Sequence, residues 1–152
     1  VIQDNNFLQC PAPHRHEVFR MLNSQTRAAV FAGGLQASLV TDAVAEELRG
    51  IRVDSVFLAA DTDESLPAVK RAVRRLSFLS RRQLRCYVLL AWGNQTVEQA
   101  RNRLECLWDI GVMPCAMPYQ PKGQWIHYPE EWRALVRKWS RPAAMFAAHG
   151  GA

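Results

Sequence analysis

The 152 residues, 49% of them hydrophobic, fit one domain and are enough to bury roughly two thirds of the unfolded surface. They are too few for a closed eight-stranded β/α barrel, which takes about 250. The net charge of +5 and the crowding of Lys70-Arg71, Arg74-Arg75, Arg81-Arg82 and Arg85 admit a nucleic-acid partner. A solvated face accounts for them better, because Arg71, Arg74 and Arg75 fall opposite Val69, Val73 and Leu76 on a helix.

Five apolar runs rich in Val, Leu and Phe alternate with helical, charge-bearing stretches: Val1-Leu8, Ala28-Leu35, Val53-Ala60, Leu84-Trp92 and Val112-Tyr119. Each is apolar along its length rather than alternating, which predicts parallel strands covered on both faces. The first run is followed by Cys10-Pro11-Ala12-Pro13, a stiff connection into a helix from His14 to Asn23 with Val18, Phe19 and Leu22 facing inward. His14 and His16 stand two apart and cannot share a helical face, which argues against a metal pair. The second run ends in Gly33-Gly34, where the backbone can turn sharply or approach a ligand closely. Thr41 caps the next helix, which Gly50 closes.

The third run delivers Asp61-Thr62-Asp63-Glu64, an acidic tip ahead of a helix with Pro67 in its first turn. Helix capping accounts for Asp63 and Glu64, but less well for Asp61 at the strand terminus. The fourth run leads to Trp92-Gly93-Asn94-Gln95-Thr96, and Thr96 with Gln99 forms a capping box for the helix bearing Ala100, Leu104, Leu107 and Trp108. Pro114 and Pro118 in the fifth run place it at a sheet edge. After a loop at Gln120-Tyr128, a helix over Pro129-Trp139 repeats apolar residues at Trp132, Leu135, Val136 and Trp139. A single domain over residues 1–146 and a frayed tail over 147–152 follow.

Cys10, Cys86, Cys106 and Cys115 form no CxxC or CxxxC pair, so no structural zinc or self-contained iron–sulfur site is expected. Three of them read as small core residues, whereas Cys10 lies at a strand end. No signal peptide, transmembrane stretch or lipidation motif occurs, and a reducing, cytoplasmic setting without a membrane partner is expected. The chain opens on Val1-Ile2, already inside an apolar run, and upstream residues are expected to be missing.

In parallel β/α sheets ligands meet the carboxyl ends of the strands. The strand ends here resemble those of radical S-adenosylmethionine (radical SAM) enzymes, most closely an uncharacterised branch. The resemblance runs over nearly the whole chain: Asp4-Asn5-Asn6-Phe7-Leu8, Gly34-Leu35 before Leu39-Val40-Thr41, Ala60-Asp61-Thr62, Cys86-Tyr87-Val88-Leu89-Leu90 with Gly93 and Thr96, and Met117-Pro118-Tyr119. It implies an α/β fold, a partial (β/α)6 TIM-like barrel, with five parallel β/α units present as units two to six.

The resemblance also implies a S-adenosylmethionine (SAM) site at Asp4, Asn5, Asn6, Gly34, Asp61, Thr62, Leu90 and Trp92. Asp4-Asn5-Asn6 would lie near the methionine end of SAM, Asp61 would accept hydrogen bonds from the ribose, and Leu89 to Gly93 would meet adenine. Gln95 stands where relatives often have Glu. Gln3, Tyr87, Met117 and Tyr119 would line a substrate pocket, and their types do not choose the substrate.

The family's CxxxCxxC loop, which holds a four-iron four-sulfur (4Fe-4S) cluster, is absent from this sequence. In that family the cluster supplies the electron that cleaves SAM to methionine and a deoxyadenosyl radical. The intact parent is therefore expected to hold the cluster and be an enzyme, and this chain alone to be inactive. The alternative is a degenerate β/α binding or scaffold module acting through protein partners, or through self-association at an exposed first strand.

Overall fold

A computed structural model describes residues 1–4 and 6–150. Four strands, β1 (Ala29–Phe31), β2 (Val53–Ala59), β3 (Leu84–Leu90) and β4 (Met113–Pro118), form one sheet in the order β1-β2-β3-β4, with every pairing parallel. Among the described residues six α-helices accompany them: α1 (Ala12–Ser24), α2 (Asp42–Arg49), α3 (Leu66–Arg75), α4 (Val97–Asp109), α5 (Glu130–Trp139) and α6 (Pro142–His149). The α/β class is as the sequence indicates. The strand count is four rather than five among the described residues.

The first apolar run accounts for the difference. Among the described residues of that run only Ile2 bridges β1, donating its N–H to the Val30 carbonyl at 2.7 Å and accepting from Ala32 at 2.9 Å. The chain then turns, because the Asp4 carboxylate accepts the Asn6 N–H at 2.9 Å. Phe7–Gln9 forms a short 3-10 turn instead of strand. Phe7 packs with Phe19 and Phe31 at centroid separations of 5.6 and 5.9 Å. The backbone bonds locally in place of a continuing ladder, from Gln9 N to the Asn6 carbonyl at 2.8 Å and from Cys10 N to the Phe7 carbonyl at 3.1 Å.

Consecutive order with parallel pairing requires a crossover after every strand, and crossovers of one hand place the helices on one face. The burial along β3 agrees. Leu84, Cys86, Val88 and Leu90 are buried, whereas Arg85, Tyr87 and Leu89 between them are only half-buried. Registry carries this across the sheet: Tyr87 pairs with Ala59 and Cys115, and Leu89 pairs with Met117. Ala59 and Met117 are exposed. The sheet is thus helix-covered on one side and largely open on the other, not covered on both as the unbroken apolar runs suggest.

Local signals set the helix ends. Thr41 Oγ1 accepts from Val44 N at 3.3 Å, and Thr96 and Gln99 complete a reciprocal capping box. Residues 147–149, expected to fray, complete α6. His149 there stacks on Trp108 at 4.6 Å and meets Glu105 at 2.8 Å. Residues 151 and 152 lie outside the described residues.

The basic residues are largely tied down within the chain. Arg75 binds Asp42 at 2.8 Å and the Val40 carbonyl at 2.8 Å. Arg81 sits 4.0 Å over the Trp108 ring and donates to its carbonyl at 2.6 Å. No helix among the described residues is long and apolar enough to cross a membrane.

Candidate functional site at the carboxyl rim

Because the strands are parallel, their carboxyl ends form one rim. Its β1 segment is Gly33-Gly34. A Cβ on Gly33 would lie 2.3 Å from the Asp4 carbonyl oxygen, so glycine is required there by the chain crossing over it. Gly34 has φ +85° and open space around the Cβ position, with only the Phe57 oxygen at 3.9 Å. Leu35 N donates to that Phe57 oxygen at 2.7 Å, which fixes the turn against β2.

Beside this turn lies a cleft of about 520 Å³ lined by Asn6, Gly34, Gln36, Ser38, Ala59 and Tyr87, among others. The Asn6 Oδ1 is buried without a hydrogen-bond partner, a costly state unless a ligand or water supplies the donor. Tyr87 stacks on Phe57 at 4.6 Å and donates its hydroxyl to the Ala32 carbonyl at 3.1 Å. Burial raises the Tyr87 phenol above its ordinary value, and it remains a donor at neutral pH.

The β2 segment is built around two groups. Asp61 Oδ1 accepts the Leu89 N–H at 2.9 Å, just beyond the last ladder bond from Ala60 N to the Tyr87 oxygen at 2.9 Å. The carboxylate thus stands in for a backbone carbonyl where the strands part, while the residue stays exposed. Arg103, reaching from α4 and 6% exposed, donates to the Asp61 carbonyl at 2.6 Å and to Asp63 Oδ1 at 2.7 Å. Arg103 is the group that sequence reasoning missed. On α4 it reads as one more outward arginine, and only the acceptors of a distant loop bring it inside.

Asp61, Thr62 and Trp92 line a second cleft of about 270 Å³ with Gln95, Gln99 and Arg103. The Glu64 carboxyl there is held below its ordinary range by its own backbone N–H and by the Thr62 side chain. Gln95 Oε1 accepts the Ala91 N–H at 2.8 Å, which gives Gln95 a structural task at the end of β3. Ala91 has φ 58°, unusual for a residue with a side chain. Trp92 is 51% exposed and meets Tyr119 edge-on at 4.5 Å.

The expected site residues are therefore not gathered into one pocket. Asn6, Gly34 and Tyr87 share one cleft, and Asp61, Thr62 and Trp92 share the next; both clefts use the β2 end. Asp4 and Gln3 are exposed beside Gly33, with the Asp4 carboxylate engaged by Asn6 N. Met117 projects on the open face with Leu89, and Tyr119 accepts from the Tyr128 hydroxyl at its carbonyl. Leu90, paired with Pro118 on the covered side, lines a separate cavity and faces away from the other residues. Asn5 lies outside the described residues.

The cysteines do not converge. Cys86 is on the covered face, where burial pushes its thiol well up, with the Cys115 and Asp61 charges adding to the effect. Cys115 is on the opposite face and raised by burial, Cys106 is on α4, and Cys10 Sγ is 3.9 Å from Asp4 Oδ2. Among the described residues no group of three or more His, Cys, Asp or Glu is placed to hold a metal ion. These residues do not fit an iron–sulfur cluster. No family model matches the chain, and neither a curated protein nor a solved structure matches it.

Proposed function

We propose that the carboxyl rim binds the nucleoside part of S-adenosylmethionine, and that the chain is the SAM-binding portion of a partial (β/α)6 barrel of the radical SAM type. The observation that carries this reading is the one-sided parallel sheet whose rim combines an exposed, anchored carboxylate at Asp61 with the unpartnered Asn6 oxygen beside Gly34. One Asp61 oxygen fixes the side chain to β3, and the carboxylate suits a ribose diol, which offers two donors. Trp92 and Tyr119 offer an aromatic edge for adenine. Asn6 Oδ1 would accept a hydrogen bond from an amine or hydroxyl.

SAM, when bound, supplies a carbon radical source once an iron–sulfur cluster gives an electron. The residues of this chain do not fit the cluster, and its own contribution is to bind and orient. A second reading is a binding module without chemistry, favoured by the apolar open face around Leu89 and the 40% exposed Met117. Isothermal titration of the full chain with SAM distinguishes them. The first reading expects one site, weakened by about 1–3 kcal/mol in Asp61→Asn through loss of a charge-assisted hydrogen bond. Unchanged affinity in that variant removes Asp61 from the site, and no binding at all favours the module.

A further inference from the structure

On the helix side of the sheet, behind the rim, a cavity of about 350 Å³ lies between the ends of β3 and β4, the loop 119–128 and α5. Leu90 and Pro118, which form part of its wall, are registry partners on the covered face, so it does not belong to the open face that carries Tyr87 and Met117. The volume falls in the range of small-molecule sites, about 300–1,000 Å³. Most of the remaining wall is apolar, from Ile126, Trp132 and Val136, with Trp125, 75% exposed, at the margin.

The loop is held in place by polar groups rather than by collapse into the cavity. Gln120 Oε1 accepts from Ile126 N at 2.7 Å and Gln120 Nε2 donates to the Ile126 carbonyl at 3.2 Å, while the Tyr128 hydroxyl binds the Tyr119 carbonyl. An apolar wall fixed open toward solvent forgoes burial that an apolar ligand would restore. The charge is one-sided. Arg133 and Arg137 line the cavity and, among the described residues, no carboxylate does; both pair with Glu130, one negative charge against two positive ones.

We propose that this cavity binds a small anionic amphiphile, an aryl or alkyl carboxylate whose apolar body fills the space against Ile126, Trp132 and Val136 and whose head meets Arg133 and Arg137. The site is independent of the rim, and it stands or falls separately from SAM binding.

The test titrates the full chain with 4-phenylbutyrate and with 4-phenylbutanol, read by calorimetry and by the fluorescence of the tryptophans at the site. The acid is expected to bind one to one and at least tenfold more tightly than the alcohol. Arg133→Gln with Arg137→Gln, at side chains half or more exposed, is expected to abolish that preference while keeping alcohol binding. Val136→Trp is expected to abolish binding of both with the thermal midpoint retained. Equal affinity for acid and alcohol, preference surviving the double arginine variant, or no saturable binding at millimolar ligand would overturn the proposal.

Discussion

Arg103→Met is the sharpest probe of how the rim is built. The guanidinium is 6% exposed and makes two short hydrogen bonds, to the Asp61 carbonyl at 2.6 Å and to Asp63 at 2.7 Å. Hydrogen bonds to charged groups contribute about 1.5–3 kcal/mol each, and removing a buried cation relieves part of its desolvation cost. Asp63 is left behind, but its side chain is 55% exposed and regains water. The net loss should be about 2 kcal/mol. Asp63→Ala is the informative contrast, because it leaves the charge buried rather than exposed. Stranding a buried charge costs about 3–5 kcal/mol, reduced here by the retained bond to the Asp61 carbonyl to about 3 kcal/mol. Urea unfolding at neutral pH reads both: with a slope of about 1–3 kcal/mol per molar, the midpoint should fall by about 0.7–2 M for Arg103→Met and by about 1–3 M for Asp63→Ala. The reasoning fails if Arg103→Met costs more than Asp63→Ala, or if both cost less than about 0.5 kcal/mol.

Gly33→Ala should destabilise by about 1–3 kcal/mol, since its methyl would overlap the Asp4 carbonyl; a midpoint equal to wild type in the same urea experiment would show that residues 3–4 do not cross it. Thr96→Ala, which removes half of the capping box on α4, should cost about 1 kcal/mol and lower the thermal midpoint by a few degrees. Burial alone would raise the Glu105 carboxyl, yet hydrogen bonds and charges from Lys138 and His149 hold it below its ordinary value of 4.5. A carboxyl lowered in the folded state adds stability above the unfolded value and loses it as pH falls through the folded one. The wild-type thermal midpoint should therefore drop more steeply below about pH 4.5 than that of Glu105→Gln, and parallel acid limbs would contradict the assignment.

Features set by short stretches were legible in the sequence. Thr41 and Thr96 cap their helices as their neighbours indicate, and the four later apolar runs are strands because each lies between turn signals and helices. The first run was not legible as a turn. Phe7 and Leu8 look the same to a hydropathy pattern whether they enter a ladder or, as here, the core, where Phe7 joins Phe19 and Phe31. The open face was hidden for a related reason: Tyr87, Leu89 and Met117 are apolar, and composition does not tell whether helices cover them.

At the site, residue type was legible and engagement was not. Asp61 is a carboxylate at a strand end in either description, but its bond to Leu89 N comes from a strand 28 residues away. The face on which Leu90 lies was not legible, because alternation along β3 turns successive residues to opposite faces, and an odd or even position cannot be assigned to a face before the register is known. Arg103 escaped notice because its burial depends on a contact 40 residues distant in sequence, with Asp63.

The most direct measurement is a backbone-amide chemical-shift titration of the full chain with S-adenosylhomocysteine, which carries the nucleoside and lacks the reactive sulfonium. The account predicts saturable shifts concentrated at Gly34, Asp61, Thr62 and Trp92 along the rim, and their loss in Asp61→Asn. Shifts confined to the helix side around Val136, or no saturable shifts at all, would contradict it.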